Sequence, residues 1–226
     1  MNADQPPWPA TLVDGSVRLR PIRRRDQSAW LRLRHDNYDW LSPWDANAPD
    51  GAGLPETFRG YAARLQRMAR DGRHLPWMIE YEGELVGQLN GNSVERGALQ
   101  QVSLGYWLAQ RVAGRGIMPT AVALAFDHCV GVLGLHRVEI AIRPENTNSI
   151  RVVEKLGFRH EGVRRAAVHV AGAWCDHAVY ALTSEEVPGG LLARWHSVQA
   201  ARAAAAAEAT NAAAAAEATN ADLGQV

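Results

Sequence analysis

One part of the sequence constrains the fold more than any other: two strand patterns, each followed by a helix pattern with a distinctive start. Residues 101–108 (QVSLGYWL) read as a strand that runs into a turn of the form Arg-x-x-Gly-x-Gly at 111–116, and a helix follows. Residues 137–143 read as the next strand, with a helix over 147–156 after it. This succession predicts a mixed α/β fold.

The turn between the first strand and its helix can hold an anion. Gly114 and Gly116 let the backbone come close to a ligand, successive N–H groups point into one concavity, and the helix start adds the positive end of its dipole. Arg111 and Arg115 would add positive charge. Glycine-rich turns also precede helices for purely structural reasons, so the turn alone leaves both interpretations open.

The second helix opens on Asn146 and Ser149, which share one helical face at i, i+3 spacing. Both residue types are favoured near helix N-termini, and Gly157 is a plausible C-cap, so capping alone would also explain them. The two helix starts together, each placed directly after a strand, form a more specific pattern than either one alone.

The rest of the pattern surrounds this unit with further elements. Asp26 is the predicted N-cap of an early helix, and the loop Leu41 to Pro55 is apolar enough to form a pocket wall. The other predicted elements are strands at 16–22, 75–81, 84–92, 158–170 and 174–182, and helices at 56–70 and about 116–133.

The composition is that of an ordinary soluble globular protein, with 47% apolar and 21% charged residues. The 24 basic and 24 acidic residues cancel, so the net charge gives no electrostatic argument for nucleic acid or anionic lipid as the principal partner, and we expect neither nucleic-acid nor membrane binding. Cys129 and Cys175 lack metal-ligand spacing, so we expect neither a metal site nor a disulfide.

The start of the sequence lacks the apolar stretch of an export signal, and we expect a cytoplasmic protein.

The C-terminal end differs in composition from the rest of the chain. Residues 203–211 read AAAAAEATN, and residues 212–220 repeat the same letters. Alanine favours a helix, but a stretch without an apolar stripe is marginal in water. We therefore expect an N-terminal lead over 1–15, a single domain over 16–199, and a frayed or variable helical tail over 200–226.

At these motifs the sequence resembles the GNAT superfamily of acetyl-CoA-dependent N-acetyltransferases, and within it the RimJ/RimL type that acetylates ribosomal-protein N-termini. The resemblance runs from about Ser16 to Ser184 and rests on LRPIRRRD, the GYWL strand, the glycine turn and the block ENTNSIRVVEKLGFRHEG. It implies a single α+β domain with a central, mostly antiparallel sheet of about six or seven strands and flanking helices. It also implies that the sheet splays between strands 101–108 and 137–143, where the pantetheine arm of acetyl-CoA inserts.

The resemblance also assigns roles to residues, with acetyl-CoA as the co-substrate and no metal. Trp107 and Leu108 would offer backbone groups to the pantetheine, Asn146 would contact the same chain, and Ser149 would lie near the thioester sulfur. Lys155 would either reach a CoA phosphate or be solvated. The pyrophosphate would bind at the turn that Arg111 opens, on the amides of Val112, Ala113, Gly114, Arg115, Gly116 and Ile117.

Acetyl transfer needs a neutral amine, an N–H donor for the oxyanion and a proton for the leaving thiolate. A backbone N–H near Trp107 or Leu108 can serve the oxyanion if the strand bulges there, and Ser149 is the candidate acid, with capping as its alternative role. Tyr106 is another conceivable acid that alternation does not place. The base stays open; the candidates are a water relay, Glu80, Glu139 and His169.

The acceptor would enter at a mouth formed by the loop 41–55, the start of the helix that follows it, and the hairpin 168–174. There Trp44, Asp45 and Asp50 either receive an amine or are merely solvated. The resemblance implies transfer to the α-amine of a protein N-terminus, possibly of a ribosomal protein, by a monomer or homodimer. A small-amine acetyltransferase acting on a polyamine, amino acid or aminoglycoside, and a non-catalytic acyl-CoA-binding module, are the alternatives.

Overall fold

The structure is a computed structural model that describes residues 8–49 and 57–223, with side chains described up to residue 211. The described chain combines strands and helices in one mixed α/β domain, as the sequence predicted. The strands are β1 (Leu12–Asp14), β2 (Val17–Pro21), β3 (Leu75–Tyr81), β4 (Glu84–Glu95), β5 (Gln101–Leu108), β6 (Arg137–Ile142), β7 (Arg159–Val170) and β8 (Ala173–Thr183). The helices are α1 (Gln27–Asp36), α2 (Tyr38–Leu41), α3 (Phe58–Arg70), α4 (Ile117–Asp127), α5 (Thr147–Leu156) and α6 (Leu191–Leu223).

The strands form one open sheet in the order β1-β2-β3-β4-β5-β6-β8-β7. The pairs are antiparallel except β5–β6, which is parallel. The sheet of the described residues thus has 8 strands, more than the predicted six or seven. The addition is β1, whose 3 residues are too few to show alternation, and which lies in the segment predicted as a lead.

The sheet splays between β5 and β6, as the family resemblance implied. The two strands pair only at Gln101↔Arg137, Val102↔Val138 and Ser103↔Glu139. Beyond this point β5 continues its pairing with β4 as far as Leu108, while β6 continues with β8 as far as Ile142. The last residues of β5 therefore have one neighbouring strand instead of two, and a gap opens along them.

The core lies on both faces of the sheet. On one face, α4 is buried along nearly its whole length because the sheet, α5 and α6 pack around it. The predicted helix over 116–133 divides here into α4 and a wider helical turn, His128–Val132. On the other face, α1 and α3 cover a smaller cluster. Each large side chain buried in this way contributes roughly 1.5–3 kcal/mol. The smaller cluster consists of Ile22, Phe58, Ala62, Leu65 and Met78.

Asp26 precedes α1 as predicted, but its carboxylate does not cap that helix, so the predicted N-cap is wrong in its chemistry. The Asp26 carboxylate instead accepts two bonds from the Arg20 guanidinium, at 2.8 and 2.9 Å. Arg20 Nε donates to Glu80 at 2.6 Å, and Arg20 and Asp26 are both buried. A buried charge demands a partner, so these three residues fix the start of α1 against β2 and β3.

The last helix, α6, begins where the Asp127 carboxylate accepts from the N–H groups of Leu191 and Leu192, at 2.6 and 3.0 Å. Trp195 packs into the core, whereas the side chains of residues 200–211 are exposed. The helix crosses the predicted boundary at residue 199 without a break, so the domain division and the fraying of the tail stay predictions. None of the described helices combines the length and apolarity that a membrane crossing needs.

Candidate active site

A cavity of about 330 Å³ opens where β5 and β6 diverge. Adjacent residues of a strand point to opposite faces, and the cavity is lined from both faces of the sheet. We call these two walls the α4 side and the α1 side. The α4 side includes Tyr106, Gly114, Gly116, Ile117, Asn146 and Ser149. The α1 side includes Trp44, Asp45, Asn90, Gly105 and Trp107.

The glycine turn has the backbone geometry of an anion-binding site. Gly114 and Gly116 adopt φ angles of +82° and +81°, in the left-handed region that side chains rarely adopt. Gly116 is the N-cap of α4, so the first N–H groups of that helix have no intrahelical acceptor. Ala113 and Ile117 line the cavity beside the two glycines. The turn therefore aims open amides and a helix N-terminus at the same space.

Three residues predicted for this turn do not line the cavity. The side chain of Val112 is buried in the core and anchors the turn to the domain. Arg111 is exposed and pairs with Glu84 at 2.9 Å, and Arg115 is exposed beside it. The N–H groups of Val112 and Ala113 already donate to the carbonyls of Ala109 and Gln110, at 3.2 and 3.0 Å, so the prediction that these two amides bind the pyrophosphate does not fit the structure. The binding roles of the other residues of the turn stay predictions.

The end of β5 presents backbone groups to the gap. The Ala109 N–H donates to Val86 at 2.8 Å, so by antiparallel alternation the N–H and C=O of Leu108 point away from β4. Trp40 Nε1 donates to the Leu108 carbonyl at 3.1 Å, so the Leu108 N–H is the backbone group of this residue that stays available to a ligand. The register shift between β4 and β5 lies at Asn92, so the bulge expected near Leu108 is absent there. The divergence of β6, rather than a bulge, opens this amide.

Ser149 and Tyr106 meet on the α4 side. Asn146 caps α5, because its side-chain oxygen accepts from the Ser149 N–H at 3.1 Å. The Ser149 hydroxyl lies 3.0 Å from the Tyr106 hydroxyl. Burial raises the pKa of Tyr106, so its phenol keeps its proton at neutral pH. The structure thus joins the predicted acid Ser149 to a second hydroxyl that sequence analysis did not place.

The α1 side is built from side chains that are distant in sequence. Trp107 lies edge-on to Trp30 with 6.3 Å between ring centroids. The Arg34 guanidinium stands 5.2 Å from the Trp107 ring centroid and pairs with Asp45. Asp50, the other acidic residue predicted for the mouth, lies outside the described residues. The structure therefore places Trp44 and Asp45 at the cavity wall, as the interpretation that they receive an amine requires.

The three side chains considered as bases are engaged elsewhere, and none of them lines the cavity. Glu80 accepts from Arg20 as described above. Glu139 accepts from Arg137 at 2.7 Å and from Arg164 at 3.0 Å. His169 Nδ1 lies 2.8 Å from the side-chain oxygen of Asn47. These contacts favour a water relay over direct proton transfer to any of the three.

Sequence reasoning missed a polar network under the α1 side. The indole N–H of Trp30 donates to Gln88 Oε1 at 2.9 Å, which turns the Gln88 amide nitrogen toward Asn90 and Tyr61. Gln88 Nε2 donates to the Asn90 side-chain oxygen at 3.0 Å and to the Tyr61 hydroxyl at 2.8 Å. Gln88 is fully buried, while Asn90 reaches the cavity wall. The available signal was the pair Gln88 and Asn90, two residues apart and therefore on one face of β4.

Further cavity residues on α5 were also missed. These are Asn148, Arg151 and Val152, which line the cavity next to Lys155, a residue that the sequence analysis did name. The side chains at 148, 152 and 155 follow helical spacing, so they belong to one face of α5. Among the described residues, no group of three or more His, Cys, Asp or Glu side chains is placed to hold a metal ion.

Comparison with known proteins identifies the class to which this fold and cavity belong. A family description, "Acetyltransferase (GNAT) domain", matches residues 16–159. A structure of Mycobacterium smegmatis RimJ in complex with CoA-disulfide superposes with a TM-score of 0.81 and 38% identity, covering 86% of this chain and 97% of that chain. The chain belongs to the GNAT acetyltransferase family and is an N-acetyltransferase, as its motifs implied.

Relatives of known name indicate which subgroup of the family the chain resembles. A probable N-acetyltransferase of Bacillus subtilis, YjcK, is 32% identical over 173 residues, which is 76% of this chain and 96% of the relative. The [ribosomal protein uS5]-alanine N-acetyltransferase of Escherichia coli is 26% identical over 169 residues, which is 73% of this chain and 87% of the relative. The predicted likeness to the RimJ/RimL type is thus confirmed.

Proposed function

We propose that the protein transfers an acetyl group from acetyl-CoA to the α-amine at the N-terminus of a cytoplasmic protein, with a ribosomal protein as the candidate substrate. The observation that carries the proposal is the cavity that passes through the splayed sheet. Such a cavity lets an acyl donor and an amine approach each other from opposite faces. The likeness to RimJ and to the uS5-alanine acetyltransferase supports a protein N-terminus as the acceptor.

The donor would bind on the α4 side. The amides around Gly114 and Gly116 would hold the pyrophosphate, because they are open and lie at a helix N-terminus. The pantetheine arm would occupy the gap along β5, next to Leu108 and Asn146. Lys155 is half-buried at the cavity wall, a position that suits a contact with a phosphate.

The reaction would use few groups of the protein. The amine attacks the thioester carbonyl directly and gives a tetrahedral intermediate, and the Leu108 N–H donates to the oxygen that gains negative charge. As the C–S bond breaks, Ser149 gives a proton to the leaving thiolate, and the proton that the amine gave to water restores the Ser149 hydroxyl, either directly or through the Tyr106 hydroxyl 3.0 Å away. These assignments require that the thioester sulfur lie near Ser149, which lines the cavity.

The shortage of a base in the cavity suits an α-amine. An α-amino group has a pKa of about 7.7–8.0, whereas a lysine side chain has one of about 10.4. An α-amine is therefore appreciably neutral at cytoplasmic pH, and water can accept its proton. Since Glu80, Glu139 and His169 are engaged elsewhere, an acceptor with a low pKa is the better match.

The test is acetyl transfer from acetyl-CoA to a panel of amines, with the product located by mass spectrometry. The panel contains peptides with free and blocked N-termini, peptides with internal lysine, spermidine and an aminoglycoside. We expect acetylation of free α-amines above all. Transfer only to lysine or to the small amines would contradict the protein N-terminus as acceptor, and CoA binding without any turnover would favour a non-catalytic module.

A further inference from the structure

We propose that Asp45 binds the amino group of the acceptor, through the carboxylate oxygen that Arg34 leaves available. This inference rests on the proposed function, because it names the group that receives the amine in the same cavity.

The position of Asp45 is unusual among the acidic residues. Asp45 supplies the only carboxylate that lines the cavity in the described part of the chain. Its neighbours in the wall are the aromatic residues Trp40, Trp44 and Trp107. A cation that enters a cavity with such walls loses water, so it needs an anionic acceptor to replace its hydration, and aromatic faces add a weaker attraction.

The hydrogen bonds of Asp45 leave one oxygen for a ligand. Arg34 donates to Oδ2, and no described group donates to Oδ1. The Arg34 guanidinium is itself held near two rings, 5.2 Å from the centroid of Trp107 and 5.9 Å from that of Trp30. A carboxylate oxygen accepts more than one bond, and the Asp45 side chain is 42% exposed. The carboxylate is therefore oriented by Arg34 and still accessible.

The loop that carries Asp45 is tied to distant parts of the domain. Ala46 pairs with Val170 of β7, and the Asn47 N–H donates to the His169 carbonyl at 3.0 Å. Arg143, which follows β6, donates to the Pro43 carbonyl at 3.1 Å. These ties hold the carboxylate at the cavity wall. They also give His169 a structural role, as a residue that fastens this loop.

Asp45 acts as a binding group and not as the base. A carboxylate beside an amine favours the charged ammonium form, so it stabilises the bound acceptor, and the amine must give its proton to water before it attacks the thioester. A group of this kind is felt in KM more than in kcat. Loss of the carboxylate would also leave the Arg34 cation facing the incoming amine.

The first measurement compares Asp45→Asn with Asp39→Asn. Asp39 is exposed on α2 and does not line the cavity, so its substitution removes the same charge as a matched control. We expect Asp45→Asn to raise KM for an N-terminal peptide about tenfold with kcat within a few-fold, and Asp39→Asn to change neither. The affinity for CoA should stay the same in both variants.

The second measurement needs no turnover. L-alaninamide carries an ammonium group, and L-lactamide has a neutral hydroxyl in its place. Calorimetry on the CoA-loaded protein should show tighter binding of alaninamide, and Asp45→Asn should remove that preference while Asp45→Glu keeps much of it. A protein that prefers neither probe, or a preference that survives Asp45→Asn, would overturn the inference. Intact preference without acetylation of any α-amine would instead contradict the proposed function alone.

Discussion

The two sides of the cavity are built from different materials. The α4 side consists largely of backbone groups and helix starts: the turn at Gly114 and Gly116, the amide of Leu108, and the cap at Asn146. The α1 side consists of side chains such as Asp45 and Asn90, which distant elements bring together. A site made of backbone is fixed by local sequence, whereas a site made of side chains depends on tertiary packing.

This difference separates two kinds of recognition. Amides at a helix start bind any ligand that carries a phosphate in the right place, so the α4 side suits a common donor. Charged and polar side chains respond to the individual acceptor, so the α1 side suits selection of the amine. Substitutions on the α4 side should therefore affect every acceptor alike, and substitutions on the α1 side should affect acceptors selectively.

The largest effect is expected at Ser149. Ser149→Ala removes the hydroxyl that would protonate the thiolate, and we expect kcat to fall about a hundredfold while the affinity for CoA persists. Ser197→Ala, which removes an exposed hydroxyl on α6, is the control. Steady-state kinetics with a peptide and with a small amine should show equal losses. If kcat fell with one acceptor only, Ser149 would take part in selecting the acceptor, which is the role proposed for the α1 side.

A somewhat smaller effect is expected at the turn. Gly114→Val places a β-branched residue at a φ of +82°, although the space beside it is open. The strain, about 1–3 kcal/mol, should distort the turn and weaken CoA binding about tenfold to a hundredfold. Calorimetry checks this, with Gly189→Ala as control because that glycine has ordinary φ and open space. An unchanged affinity would mean that the turn does not bind the pyrophosphate.

Tyr106 tests whether the hydroxyl pair acts as a unit. Tyr106→Phe should lower kcat about tenfold and leave CoA binding unchanged, because Ser149 remains as a donor. The double variant with Ser149→Ala should lose less than the product of the two single losses, since both changes interrupt the same proton path. Fully multiplicative losses in the double variant would show that Tyr106 acts independently of Ser149.

The contrast between local backbone patterns and tertiary side-chain contacts also explains which parts of the fold and the site could be predicted from the sequence. Seven strands came from alternation, and the glycine turn, Asn146 and Ser149 came from local patterns next to those strands. Asp26 shows the limit: its position was predicted, but its partner Arg20 was not, because pairing across the fold leaves no local pattern. The Gln88 network escaped for the same reason, since Trp30, Gln88 and Asn90 come from α1 and β4.

A smaller, selective effect is expected from Gln88→Leu. The change leaves the Trp30 indole N–H and the Asn90 amide without their partner, and because both side chains are only partly buried we expect a total loss of about 1–3 kcal/mol of folding stability. Denaturant unfolding measures that loss, and Gln27→Leu at an exposed position of α1 is the control. KM for the acceptor should rise several-fold while CoA affinity is kept. Equal loss of CoA affinity would mean that the two sides are not separable.

The smallest effect is expected from the alanine-rich tail, because none of its residues that the structure describes lines the cavity. The side chains of residues 200–211 are exposed, whereas Trp195, near the start of α6, is buried. A chain that ends at Gln199 keeps the packed turns of α6, and an alanine-rich helix without an apolar stripe adds little stability of its own. Both kcat/KM and the unfolding midpoint should therefore match those of the full chain. A loss of activity with unchanged CoA affinity would instead place the tail in acceptor recognition. In that case the truncation should raise KM for long peptides and leave KM for short peptides unchanged, because the tail would hold the part of the protein substrate that lies outside the cavity.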